Sequence, residues 1–320
     1  MVAAKCSPEE FEAIWHEEGC SPTRVAKRLN VDIRAVHYRR RNLESHGFHL
    51  PSMPSNSTAG RAKWHYPAQV NLPMDDGSIL ICSDAHFWPG EPTPMWRAFV
   101  AVAKAIKPTC IVLNGDMIDG ARVCRHARSP GYTPTLAEEV AATRANLDML
   151  PASEWRFWTV GNHDSRVDAY LANHAAELSD YAGSLRDRFQ DWPMAWAVVV
   201  NDDVEIRHRF RSGIHSRWNN ALHGGVTMVT GHTHQLGVTP VPDRRGVRYG
   251  IECGMMADPL GPQFQYGEGM PSRWHPGFVV LTFAEGQLQP PELCQWTPRG
   301  AVFRGEVVAE KPRVRVKAAA

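Results

Sequence analysis

Four short stretches of this chain pair residue types that bind divalent cations. Asp84 and His86 stand two apart, directly after the apolar run Ile79–Cys82. Asp116 and Asp119 follow a second apolar run, Cys110–Leu113, and Asn162, His163 and Asp164 follow a third, Trp155–Val160. His232 and His234 follow Val226–Thr230. Carboxylate, amide oxygen and imidazole aimed at one point suit an ion of the Mn, Fe or Zn kind. Alternate side chains of an extended chain project to one side, so each pair spaced two apart is expected to point the same way just past its strand. Gly115, Gly161 and Gly231 immediately precede ligand-type residues, which permits tight turns and close backbone approach. Burying that many ionisable groups together with no partner would be costly, so caps and satisfied turns are a poor explanation for the set. Asp119 fits a turn or supporting role as well as a ligand role.

The apolar runs that carry these residues alternate with helical patterns. Residues 93–106 place Trp96, Phe99, Val100, Val102, Ala103 and Ile106 on one face, and a second helix is expected from about Thr135 to Leu150. Strand–helix–strand alternation implies an α/β core whose polar clusters sit at the carboxyl ends of strands, where sites in such sheets lie. Two later pieces, Gly246–Ile251 and Gly277–Phe283, read as strands that complete a second sheet. Between them Glu252–Met256 follows a strand and is placed to line the cleft, while Trp274, His275 and Trp296 read as packing residues.

Taken in order, Asp84-x-His86, Gly115-Asp116-x-x-Asp119, Gly161-Asn162-His163-Asp164 and Gly231-His232-x-His234 resemble the motifs of the calcineurin-like metallophosphoesterases, over about residues 78–285. The resemblance implies a four-layer α-β-β-α sandwich and two divalent metal ions, Mn²⁺ first, with Fe or Zn as alternatives. It places Asp84, His86, Asp116 and His234 on one metal, and Asp116, Asn162, His232 and one further histidine on the other, with Asp116 bridging. Two cations about 4 Å apart would clamp a phosphoryl oxygen and activate a hydroxide for in-line attack. It also puts His163 beside the scissile phosphate, to stabilise the transition state or protonate the leaving oxygen; Asp119 and Asp164 would support the ligands. The further histidine is open. His208 ends an alternating run from Val204, but Arg209 stands where the family prefers glycine. His223-Gly224 has the expected dipeptide at the end of a helix near 216–223, and His215 lies in the loop between. The expectation falls on His208. Arg166, Arg125 and His126 are candidates to hold substrate phosphate, a guanidinium being a natural clamp.

Ahead of this region, residues 7–46 read as three short helices, opened by Ser7-Pro8, Ser21-Pro22 and Asp32. Phe11, Ile14, Trp15, Val25, Ala26, Leu29, Ile33, Val36 and Leu43 are expected to face inward. Ala26, Asn30 and Val36 have the spacing of a helix-turn-helix, and here the chain resembles helix-turn-helix DNA-binding domains. Acidic residues gather on the first helix and basic ones on the next two. An outward face of Arg34, Tyr38 and Arg41 would meet the major groove, with the other cations on phosphates. The expected domains are therefore a small all-α domain over 1–48, a Pro/Ser-rich linker over 49–77, a metallophosphoesterase domain over 78–309 and a basic tail over 310–320.

Bulk properties narrow the classes. The formal net charge is +1 over 320 residues, so the whole chain is no polycation. Seven cysteines without a Cys-x-x-Cys argue for free thiols in a reducing compartment. No apolar run approaches the roughly 20 residues that span a bilayer, and the start lacks a signal-peptide core. The expectation is a cytoplasmic enzyme that hydrolyses phosphodiesters of nucleic acid and is delivered to DNA by residues 1–48. The alternative is a phosphomonoesterase or small-nucleotide phosphodiesterase whose small domain docks a protein. A non-catalytic DNA-binding regulator is disfavoured by the near-complete ligand set.

Overall fold

The computed structural model describes residues 6–45, 47–50, 66–124, 131–178, 183–244, 246–267 and 273–310. The chain divides into two compact units, Met1–Trp64 and His65–Ala320.

The first unit holds three helices, α1 (Pro8–Glu17), α2 (Pro22–Leu29) and α3 (Ile33–Ser45). Ser7 and Glu10 form a reciprocal capping box at the start of α1, satisfying two of the N–H groups that a helix start leaves unpaired. Ser21 caps α2, and Asn30 ends it in the left-handed conformation that the tight turn to α3 requires. Phe11, Trp15, Val25, Ala26, Val36 and Leu43 form its core. Ile33 departs from expectation: it stands at the first residue of α3, before the helix turns inward, and is 39% exposed.

In the second unit, alternation within each strand assigns side chains to two cores. The strands are β1 (Val70–Leu72), β2 (Gly77–Cys82), β3 (Cys110–Leu113), β4 (Trp155–Thr159), β5 (Met194–Ala195), β6 (Ala197–Val200), β7 (Val204–Arg207) and β8 (Thr227–Thr230). They continue with β9 (Leu236–Asp243), β10 (Gly246–Cys253), β11 (Gly277–Ala284), β12 (Gln287–Leu288), β13 (Glu292–Thr297), β14 (Gly300–Phe303) and β15 (Glu306–Glu310). One sheet runs β15-β14-β13-β11-β2-β3-β4-β5, with β12 on β11; the other runs β1-β6-β7-β8-β10-β9. The central strands β2, β3 and β4 are parallel. Ile79, Ile81, Val112 and Phe157 face Val198, Val200, Ile206, Val229 and Ile251 of the other sheet, forming the inner core. Their neighbours Leu80, Cys82, Ile111, Leu113 and Trp158 face outward, into a second core with the helices. Strands buried on both faces must read as unbroken apolar runs, which is why these were conspicuous in the sequence.

Helices α4 (Pro94–Ile106), α5 (Leu136–Leu147) and α6 (Arg166–His174) contribute Trp96, Phe99, Leu147 and Val167 to the outer core. A further helix, Ser216–Gly224, lies on β8, β9 and β10. The order helix, sheet, sheet, helix matches the expected four-layer sandwich.

Three expectations need correction. Gly246–Ile251 does join the second sheet, as β10, but Gly277–Phe283 does not: it is β11 and pairs antiparallel with β2 in the first. Both read alike because each carries apolar residues in a strand-like run, and apolarity does not reveal the partner. The stretch 49–77 is not all connector. Leu50 is buried in the helical unit, Tyr66 is buried in the larger one with its hydroxyl donating to Asp168, and Val70–Leu72 pairs with β6. The tail set at 310–320 begins inside β15, and 311–320 lie outside the described residues. All seven cysteines are free. Among the described residues, no helix is long and apolar enough to cross a membrane.

Candidate metal centre

The four motifs meet where β2, β3, β4 and β8 end. Beyond Cys82 and Leu113, the parallel pairing of β2 and β3 continues through the motif loops. Asp84 N donates to Gly115 O at 3.0 Å, His86 N to Asp116 O at 3.0 Å and Phe87 N to Met117 O at 2.8 Å. The backbone is not extended here. Asp84, His86, Asp116, His232 and His234 all have positive φ, between 41° and 69°. The side chains spaced two apart do converge, but by left-handed turns and not by strand alternation. That conformation is uncommon for any residue with a Cβ and clusters at functional sites. The glycines allow the close approach. A Cβ on Gly161 would lie 2.0 Å from Asp116 Oδ1, one on Gly231 would lie 1.9 Å from Ser83 Oγ, and one on Gly115 would lie 2.4 Å from His208 Nδ1.

Three overlapping groups have ligand atoms mutually within 4.8 Å: Asp84, His86 and His234; Asp116, His208 and His232; and His86, Asp116 and His163. The first two groups are subsets of the two ligand sets expected from the sequence. His208 is buried, with Nε2 3.0 Å from Asp116 Oδ2 and 4.0 Å from Asp84 Oδ1. His215 and His223 are exposed, on the loop before the helix Ser216–Gly224 and at that helix's end.

The donor set fits divalent cations. Asp84 Oδ1, His86 Nε2, Asn162 Oδ1 and His208 Nε2 are buried without a hydrogen-bond partner, as is His234 Nδ1. Two of these atoms, His208 Nε2 and Asp84 Oδ1, stand 4.0 Å apart, and the other ring nitrogen of His234, Nε2, stands 3.2 Å from Asp84 Oδ1. The other edges of these side chains are fixed. Ser83 Oγ contacts Asp84 Oδ2 at 2.6 Å, and His232 N donates to that oxygen at 2.9 Å. His208 Nδ1 is 2.8 Å from Asn114 O, and His86 Nδ1 is 3.0 Å from Asp119 Oδ1, which leaves each Nε2 turned inward.

Electrostatics hold the carboxylates ionised, as ligands must be. Burial disfavours the charge on Asp116, but His208 and His163 outweigh it and hold that carboxyl well below the usual range. Asp84 is lowered in the same way by His234 and His208. Reciprocally, Asp116 and Asp84 overcome burial and raise His208 to about 9. His232 goes the other way, down to about 4, through burial, the neighbouring His208 and, in smaller part, Arg209.

His163 stands at the edge of the cluster, with its N–H donating to Asp116 Oδ1 at 2.8 Å. Its Nδ1 meets Asp119 O at 2.9 Å, and Arg166 Nη2 approaches its Nε2 at 2.8 Å. Burial opposes a charge on His163, yet Asp116 and Asp119 raise its pKa. A guanidinium can only donate, so His163 Nε2 accepts from Arg166 only when that nitrogen carries no proton. Arg166 also donates to Asp119 O at 2.7 Å. Asp164 holds no ligand position. Its carboxylate accepts from the N–H groups of Asp116, Met117 and Gly161 and from Trp158 Nε1, locking two motif loops together. Arg125 and His126 lie outside the described residues.

Several contacts around the cluster are not legible in the sequence. Glu139, fully buried on α5, accepts the N–H groups of Asp119, Gly120 and Ala121 at 3.0, 2.6 and 2.9 Å. Burial pushes its carboxyl up to about 7 against those three donors. Glu252 anchors Ser216, Thr233 and Arg217 below the second sheet's motif. Trp274 packs as expected, on Phe264, and its ring also stands 4.7 Å from that of His234, while Phe264 stands 5.2 Å from His86. A helix beginning near Thr135 was legible in advance, but that does not reveal which helical glutamate turns inward.

Comparison with known proteins agrees with this geometry. The family model for calcineurin-like phosphoesterases matches residues 77–236, half of the chain. The Gene 54 protein of Mycobacterium phage L5 is 28% identical over 152 residues, which are 42% of this chain and 58% of that protein. The Gene 54 protein of Mycobacterium phage D29 is 24% identical over 241 residues, 67% of this chain and 92% of that protein. Among solved structures, Yfce, a phosphoesterase from E. coli, is 19% identical, covering 67% of this chain and 97% of its own, with a TM-score of 0.31. Pseudomonas putida nuclease MPE is 15% identical, covering 66% and 86%, with a TM-score of 0.28. Superpositions at those scores add nothing to the assignment, which rests on the family match and the motifs. The chain belongs to the calcineurin-like phosphoesterases, a family of hydrolases acting on phosphate esters.

Proposed function

We propose that this protein hydrolyses phosphodiester bonds of nucleic acid with two divalent cations, Mn²⁺ foremost, and that residues 1–48 bring it to DNA. The observation that carries the hydrolytic reading is the set of buried, unpaired ligand atoms converging from four strand ends. Asp84, His86, Asp116 and His234 would hold one cation, and Asp116, Asn162, His208 and His232 the other. When bound, such cations supply positive charge where negative charge builds on a phosphate under attack. The chain's own residues do the rest. Asp119 orients His86 and His163, and Asp164 fixes the backbone that carries Asp116. A phosphate ester entering beside Arg166 takes over the N–H that Arg166 gives His163, and this frees His163 Nε2 to face the leaving oxygen.

The delivery reading rests on the helical unit. Its support is the helix-turn-helix spacing, with buried Ala26 and Val36 and left-handed Asn30 at the turn. Tyr38 is exposed on α3; the side chains of Arg34 and Arg41 lie outside the described residues. A second reading, protein docking by this unit with a small-nucleotide substrate, is favoured by one finding. Arg28 is tied to Glu17 and Glu18, and Arg40 to Glu44, so fewer cations remain for phosphates than the sequence suggested.

The test is hydrolysis with Mn²⁺ of bis-p-nitrophenyl phosphate and of single- and double-stranded DNA, with and without residues 1–48. DNA cleavage that weakens on truncation and with rising salt supports the proposal. Cleavage of the small diester alone, unchanged by truncation, would replace it with the second reading.

A further inference from the structure

Immediately after His208 the chain runs through an exposed loop, Arg209–His215, that begins Arg209-Phe210-Arg211. Arg209 stands where the family resemblance expects glycine. Phe210 is 41% exposed, although arginines flank it: Arg207 Cζ lies 5.5 Å and Arg211 Cζ 6.0 Å from its ring centroid. Arg207 is steadied by Glu205 at 2.9 Å. The loop backbone is anchored, because Arg211 N donates to Asn220 Oδ1 at 3.1 Å and buried Asn220 returns a bond to Arg211 O at 3.3 Å. On its other side, Gly231 N donates to His208 O at 3.0 Å. Two residues of chain span at most about 7 Å, so the Phe210 backbone lies close to that of His208, whose ring belongs to the metal-ligand cluster. Arg209 follows His208 directly in the chain and is exposed.

An aromatic face among cations, on a fixed backbone beside a phosphate-cleaving centre, has the chemistry to bind a base and its neighbouring phosphates. We propose that Phe210 is the stacking platform for a nucleobase next to the scissile phosphate of a single-stranded nucleic acid, with Arg209 and Arg211 on the flanking phosphates. This rests on the nucleic-acid reading above. It adds a substrate-binding surface in the catalytic unit, separate from any role of residues 1–48.

The experiment uses the full chain. Binding of fluorescein-labelled hexathymidylate is followed by anisotropy in EDTA, and hydrolysis of methyl p-nitrophenyl phosphate, which carries no base, is followed with Mn²⁺. Phe210→Ala and Arg209→Ala are each expected to weaken hexathymidylate binding about tenfold, with methyl p-nitrophenyl phosphate hydrolysis within about twofold of the native rate. Phe210→Trp, which keeps a platform, should restore binding. Native affinity in Phe210→Ala would overturn the inference. A native protein that hydrolyses the small diester but does not bind hexathymidylate would overturn it too, while leaving the hydrolase reading standing. A native protein inert on every phosphodiester would instead remove the reading on which it rests.

Discussion

The metal centre and the three-helix unit treat charge in opposite ways. In the centre, five polar atoms of the candidate ligands are buried without a partner. In the helical unit, among the described residues, three arginines are engaged at home: Arg28 pairs with two glutamates, Arg40 with Glu44, and Arg39 and Arg40 lie over the rings of Phe11 and Trp15. Leaving a buried polar atom unpaired costs about 1–3 kcal/mol, so a chain keeps several together only where something else completes them. Exposed ion pairs are individually weak and arise easily. The unsatisfied interior is therefore the stronger guide to function, and the charged surface the weaker one.

The largest test of that contrast is Asp116→Ala, which removes the one carboxylate that both ligand sets share. Phosphodiester hydrolysis is expected to fall on the order of 10³-fold, and metal retained after dialysis should drop, while the circular dichroism spectrum stays native. Full activity in this variant would undo the reading of the centre. A sharper comparison changes no ligand at all. Gly161→Ala would put a Cβ 2.0 Å from Asp116 Oδ1 and must displace it, so Mn²⁺ affinity by calorimetry should fall at least about tenfold, the loss seen when supporting residues of a metal site are changed. Gly47→Ala, in the helical unit, meets nothing within 4 Å and strains only a φ of +92°. It should cost about 1 kcal/mol of stability and leave Mn²⁺ affinity alone. Equal effects on metal binding would erase the distinction.

The smallest effect concerns a buried carboxylate that does have partners. Glu139 titrates near 7 in the folded chain, above its ordinary 4.5. Between those values the folded state holds a proton that the unfolded state has released. Its contribution to stability is therefore full below about pH 4.5 and is lost as pH rises through about 7, a change on the order of 3 kcal/mol. Glu139→Gln should remove that slope. Urea midpoints at pH 5 and pH 8 would show the variant less destabilised, relative to native, at the higher pH. A constant difference at both pH values would mean that Glu139 does not titrate in this window.

Much of this was legible because each motif is contiguous and follows a strand buried on both faces, where sequence periodicity and ligand type coincide. His208 was legible as the end of an alternating strand even though Arg209 breaks the family pattern. What failed was whatever depends on distant residues or on backbone conformation. The convergence of Asp84 with His86 was attributed to strand alternation, yet both are left-handed, a state that residue type only weakly signals. Phe264 and Trp274 reach the histidines across long sequence separations, and nothing local marks them. The inward turn of Glu139 depends on three amides of another loop. Sheet membership of Gly277–Ala284 depends on which edge of β2 was open.

The ladder that carries on past Cys82 and Leu113 has a consequence for the life of the site. Because Asp84, His86 and Phe87 are stitched to Gly115, Asp116 and Met117 by main-chain bonds, the scaffold belongs to the sheet and opens only when the sheet does. Ions bound there would, by contrast, be held by side chains alone. Such a centre would be emptied and refilled many times within one folded lifetime, like a socket. Which cation it carries would follow the supply of the moment and not the history of how the chain folded.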